Sequence, residues 1–146
     1  LENTTNEDLL NIISDLYSTK EDPAYLPFFE RQLTKADGFS ALSVFGGYQT
    51  LLAKLELDQA LPGLAKMQAI AADVKQSIWR RFSATKVLLD MSNAFSDKAG
   101  EIADAAQKAR HQAKSAELRK QVEAIRDAET DEDLKGIYDQ MLNGGE

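Results

Sequence analysis

One histidine and no cysteine bound what this chain can do with a metal or a thiol. A helical zinc site of the HExxH type needs two imidazoles four residues apart, so that both reach the ion from one face. His111 stands alone in Lys108-Ala-Arg-His-Gln-Ala-Lys114, a polar setting, and reads as a solvated helix residue. No GxSxG elbow, phosphate loop or dinucleotide fingerprint occurs. The stretch Gly46-Gly-Tyr-Gln-Thr50 lacks the lysine that a phosphate loop requires. Carboxylates cluster at Glu21/Asp22 and at Asp131/Glu132/Asp133, spacings that could serve acid–base or metal chemistry. Both clusters also fall at expected helix starts, where negative charge meets the positive end of the helix dipole, and the capping role is the preferred reading. Ligands spaced around a central glycine, as calcium loops need, are missing. The remaining candidates are for binding. Trp79-Arg80-Arg81-Phe82 combines residue types enriched at interaction hot spots, and Tyr25 and Phe28 could add an exposed aromatic surface. The competing reading packs Trp79 and Phe82 inside, with one arginine bonding a neighbouring turn.

These residues must be positioned by helices. Alternating Val/Ile/Thr runs are lacking, and apolar residues recur at helical spacing almost throughout. A first helix is expected over about 6–18, opened by a Thr4/Glu7 capping box, with Leu9, Leu10, Ile13, Leu16 and Tyr17 as its apolar stripe. A second holds Phe28, Phe29 and Leu33 and breaks at Asp37-Gly38. A third runs from Ser40 to about Leu55, with Leu42, Phe45, Leu52 and Leu55 inward and Gly46-Gly47 permitting close helix contact. Asp58 is expected to cap a fourth through Ala72, and Ser77 a fifth. From about 97 to 128 the chain is rich in Ala, Lys, Gln and Glu. There Ala99, Ile102, Ala106, Ala109, Ala113 and Ala116 form an expected inward stripe, with a break near Ser115 before Leu118, Val122 and Ile125. Thr130 with Asp133 is expected to cap a last helix with Leu134, Ile137, Tyr138 and Met141 inward.

The chain has 146 residues, the size of about one domain, and carries a net charge of −7. The acid is unevenly placed: residues 1–73 hold 5 Lys+Arg against 11 Asp+Glu, and residues 74–146 hold 12 against 13. Such a balance argues against nucleic acid as a partner, since phosphates call for a basic face. No apolar run approaches the roughly 18 residues of a membrane span. The lack of cysteine fixes no compartment, and an extracytoplasmic one is compatible with it. The chain begins at Leu1 without a signal-peptide pattern and is read as a processed chain or a fragment of a larger protein.

Self-similarity carries more information than any single motif. Leu16, Leu52 and Leu88 are spaced by 36, as are Ile12, Tyr48 and Ala84, and Asp22 and Asp58. Pro27 and Pro62 are 35 apart. Each unit reads as a helix, a turn with Asp, and a second helix with Pro in its first turn, where a missing amide hydrogen costs nothing. The stretch Asp22-Pro23-x-x-x-Pro27-x-Phe29-x-x-x-Leu33 resembles the turn and second helix of the HEAT family. Trp79-Arg80 with Ser83 and Ala84 resembles an apolar-Arg pair and small positions of that family's first helix. The second unit has Asp58 without the following Pro, and the third lacks the Pro, so two and a half units are covered, about 7–96. More narrowly, residues 7–142 resemble the carboxy-terminal helical domain of zinc aminopeptidases of the alanyl aminopeptidase type.

The expected fold is all-α: an αα-superhelix of HEAT-like pairs over about 7–96, then a long helix and a short terminal helix over about 97–142, in one helical domain. The resemblance implies a non-catalytic domain that covers or shapes a substrate cleft. Its partner is then an upstream catalytic domain of the same polypeptide, and zinc, as cofactor, belongs to that domain, with none in this chain. The alternative is an independent scaffold for a protein or peptide partner, since solenoids present extended surfaces. The candidate interaction surface is Trp79, Arg80, Arg81 and Tyr25.

Overall fold

The computed structural model describes residues 6–144. They form seven α-helices and one 3-10 turn, with no strand among the described residues. The chain divides into two compact units, Leu1–Val87 and Leu88–Glu146.

In the first unit, α1 (Glu7–Thr19) is capped by Asn6, whose side chain accepts from the amides of Asp8 and Leu9. Thr4 of the expected capping box lies outside the described residues. Only part of the expected stripe is inside: Leu10 and Ile13 are buried, whereas Leu16 is 53% exposed. A tight turn follows in which Glu21 takes a left-handed backbone (φ 52°) and its carboxylate pairs with Lys54 at 3.1 Å. Asp22 then caps the 3-10 turn Pro23–Tyr25 by accepting from the amide of Ala24 at 2.9 Å. Helix α2 (Leu26–Gln32) has Pro27 as its second residue, where no intrahelical bond is lost. Two prolines four residues apart therefore break nothing: the first sits in a turn, the second opens a helix.

Helix α3 (Gly38–Leu52) starts at a glycine with φ +57°, a conformation costly for other residues. Of the Gly46-Gly47 pair, only Gly47 permits a close approach: a methyl group there would stand 2.5 Å from the ring of Phe29, which is fully buried. Around Gly46 nothing lies within 4 Å. Helix α4 (Leu57–Ala72) is capped by Glu56, not by Asp58, which lies inside the first turn; the Glu56 amide donates to Gln59 Oε1 at 3.3 Å. Pro62 is correspondingly inside α4, beyond the first turn where the repeat pattern expects it. Gly63 lets α4 close on α3, because a side chain there would meet the Tyr48 hydroxyl at 2.6 Å.

Helix α5 (Ile78–Glu101) begins in the first unit and ends in the second. Ser77 caps it as expected, its Oγ accepting from the amide of Arg80 at 3.2 Å. The second unit is the remainder of α5 with α6 (Ala105–Ala128) and α7 (Glu132–Leu142). The break falls at Ile102–Asp104, and α6 runs unbroken through Ser115. Ser115 is a contact point instead. Its Oγ donates to the carbonyl of Ser92 at 2.7 Å, and Ser92 Oγ donates to the carbonyl of Ser115 at 2.7 Å, a reciprocal clasp between two helices.

The expected small-residue stripe holds only at its start, where Ala99 is buried. Ala106, Ala109, Ala113 and Ala116 are exposed, and α6 buries His111, Leu118, Val122 and Ile125. Helix formation was legible for this segment, but the buried face of its alanine-rich part was not, because a small residue is equally at home on either face. Asp131, not Thr130, caps α7 by accepting from the amide of Leu134 at 2.9 Å. Leu134, Tyr138 and Leu142 are the buried α7 residues, with Ile137 exposed. Arg119 reaches the carbonyl of Leu142, and Arg126 pairs with Asp139 at 3.2 Å, tying α7 to α6.

Candidate functional site

The sequence's polar candidates converge in the first unit where the starts of α3 and α5 meet. Asp37 Oδ1 accepts from the amide of Gly38 at 2.8 Å and from the hydroxyl of Ser77 at 2.5 Å. One carboxylate thus serves two helix N-termini, directly on α3 and through the Ser77 cap on α5. The Ser77 hydroxyl chiefly holds Asp37 below the usual carboxylate range, with the Gly38 amide and the charge of Arg80 adding to it and partial burial opposing it.

Arg80 follows one turn into α5. Its Nε donates to Gln76 Oε1 at 2.6 Å and its Nη1 to the carbonyl of Ala36 at 2.5 Å, while the guanidinium lies 5.6 Å from the centre of the Phe45 ring. Burial lowers its pKa, and the nearby charge of Asp37 opposes this. Arg80 therefore links the end of the α2 segment to the start of α5. Arg81 turns inward: it is buried, and its Nε donates to the carbonyl of Gln76 at 3.1 Å. It does not contribute to an exposed surface.

Trp79 is 41% exposed and packs against Phe39, 65% exposed, with ring centres 5.0 Å apart. The competing reading, with Trp79 packed in the core, does not hold: Trp79 is exposed and lies against Phe39, which is itself on the surface. Ile78 and Val74, close by in sequence, are exposed as well. Tyr25 belongs to another cluster. It stacks on Tyr17 at 4.3 Å, and Tyr17 meets Phe28 edge-on at 4.9 Å. The four sequence candidates thus divide into an exposed aromatic (Trp79), a half-buried cation (Arg80), an interior residue (Arg81) and a stacked tyrosine in the α1–α2 region (Tyr25).

Beside Arg80 lies a groove of about 460 Å³ that the sequence reading missed. Leu33, Ala69 and Ile70 give it an apolar floor, and Glu30, Lys66 and Arg80 give it charge. Glu30 and Lys66 pair at 3.1 Å across α2 and α4. A signal for this pair was present, since the two opposite charges are spaced by the same 36 residues as the repeat.

The carboxylate clusters act as caps. Glu21 and Asp22 are used in the α1–α2 turn, and Asp131 caps α7 with Glu132 and Asp133 in its first turn. His111, expected in solvent, is buried in the second unit at 4% exposure. Its Nδ1 lies 2.8 Å from the carbonyl of Gln107, and its ring meets Phe95 edge-on at 5.8 Å. The polar neighbours in sequence hid it, because they occupy the other faces of α6. Among the described residues, no group of three or more His, Asp or Glu side chains is placed to hold a metal ion, and no helix is long and apolar enough to cross a membrane. No protein-family model, curated protein or solved structure matches this chain.

Proposed function

We propose that this chain is a non-catalytic helical domain of a larger zinc aminopeptidase-like protein, where it covers or shapes the substrate cleft. The reading rests on the resemblance of its motifs, and one structural observation carries it furthest. Asp22 caps the Pro23 turn, Pro27 opens α2, and Arg80 of the Trp79-Arg80 pair binds back to the carbonyl that ends the α2 segment. Asp22, Pro23 and Pro27, which carry the resemblance, thus connect α1 to α2, the two helices of one expected pair, and Arg80 ties the end of that segment to α5. Zinc belongs to the catalytic domain in this reading. One histidine and no cysteine give this chain no such site of its own.

The unequal burial of the repeat positions weighs on the other side. A second reading, an independent scaffold for a protein partner, is favoured by the exposed Phe39–Trp79 pair.

The isolated chain is expected to bind no stoichiometric zinc and to release no amino acid from aminoacyl substrates. Its reading frame is expected to continue upstream into a segment with HExxH. Elemental analysis showing one tightly held zinc per chain would overturn the non-catalytic assignment. A stop codon directly upstream would leave the scaffold reading in its place.

A further inference from the structure

We propose that the groove between α2 and α4 is a binding site for a small monocarboxylate carrying an aliphatic group. Arg80 supplies the cation. Its guanidinium is half-buried, yet the two acceptors it bonds, the Gln76 side-chain amide and the Ala36 carbonyl, are neutral. Asp37 acts on it through space and keeps its negative charge, but it is bonded to Ser77 and Gly38 rather than to the guanidinium and does not line the groove, so the charge is only partly offset there. A cation withdrawn from water and bonded only to neutral groups retains a strong attraction for an anion.

The other charges in the groove do not cancel this. Glu30 is compensated by Lys66, so Glu30, Lys66 and Arg80 together leave one positive charge. The floor then decides which anion. Leu33, Ala69 and Ile70 offer an apolar surface that an inorganic anion cannot use, whereas an alkyl chain attached to a carboxylate can. The volume, about 460 Å³, is in the range of small-molecule sites. The same chemistry could arrive as a free short-chain acid or as the last residue of a peptide.

Titration of the isotope-labelled chain, followed by NMR at the Leu33 and Ile70 methyls and the Arg80 Nε–H, tests this. The probes are 4-methylpentanoate, its uncharged amide, N-acetyl-Ala-Leu with a free carboxylate, and inorganic phosphate. Saturable shifts are expected with the free carboxylates and about tenfold weaker binding with the amide, the loss appropriate to one charge-assisted contact. The tighter of the two carboxylates identifies the source. Ala69→Glu, an exposed helix position, should leave the fold intact and abolish the shifts by placing an anion at the floor. Absence of saturation at millimolar ligand, equal binding of the amide, equal response to phosphate, or undiminished binding by the folded Ala69→Glu chain would each overturn the proposal.

Discussion

Asp37 shows how much one side chain can organise. Its carboxylate holds the amide of Gly38 and the hydroxyl of Ser77, and these bonds favour the charged form. A carboxyl whose folded pKa is depressed contributes stability that is fully present above its unfolded value, near 3.8, and is lost as the pH falls through the lower folded value. Asp37→Asn should therefore cost little at pH 6, within about 1 kcal/mol, because Asn also caps well. It should, however, narrow the fall in urea midpoint between pH 6 and pH 3 relative to the parent; an unchanged fall would mean that other carboxyls carry the acid sensitivity. The glycine pair makes a second residue-scale contrast. Gly46→Ala should stabilise by about 0.5–1 kcal/mol, since nothing opposes the added methyl and a helix interior prefers Ala. Gly47→Ala should destabilise by about 1–3 kcal/mol, because the methyl would drive into the buried Phe29 ring. Thermal melts of both variants check the opposite signs. The sequence announced the pair but could not divide it, because which glycine faces α2 depends on the rotation of α3.

At the scale of elements, caps were read by motif and settled by competition among adjacent residues. Ser77 was legible as a cap because no Asp, Asn, Thr or second Ser stands within three residues of it. Asp58 lost to Glu56, two residues earlier, and Thr130 lost to its neighbour Asp131. Helix starts shift by such small steps, and each step changes what a proline does. Pro27 occupies the second position of α2 and removes no helical bond. Pro62 sits deeper in α4 and has no amide hydrogen to donate to the carbonyl of Asp58, four residues back. Pro27→Ala should consequently change stability by no more than about 1 kcal/mol, the unfolded chain gaining freedom without a new bond. Pro62→Ala should stabilise by more than about 1 kcal/mol, because a bond is restored and a clash removed. Urea denaturation of the two variants tests the difference, and equal effects would mean that α4 relaxes around its proline.

Across the whole molecule, the helical class was legible because periodicity of 3.6 is a property of every segment, whereas the repeat was read from identities at three positions. Those positions do not share an environment. Leu52 is 2% exposed and Leu88 fully buried, but Leu16 is 53% exposed; Tyr48 and Ala84 are buried while Ile12 is exposed. A periodic sequence can persist where burial does not, because spacing along the chain does not fix how far neighbouring helices cover each position. The groove was illegible for a related reason: its floor comes from Leu33 and Ile70, which by type are ordinary core residues, and only the packing of α2 and α4 leaves them beside open space. The inequality of the leucines fixes an order of stabilities. Leu52→Ala removes a side chain from a packed interior, between α3 and the Gly63 side of α4, and should cost about 2–5 kcal/mol. Leu16→Ala removes one that already meets water over half its surface and replaces it with a better helix former, so its cost should stay below about 1 kcal/mol. Chemical denaturation of the two variants under one condition measures both. A cost for Leu16→Ala close to that for Leu52→Ala would mean that the face of α1 bearing Leu16 is covered in solution, and the 36-residue period would regain the equivalence of burial that its first member lacks.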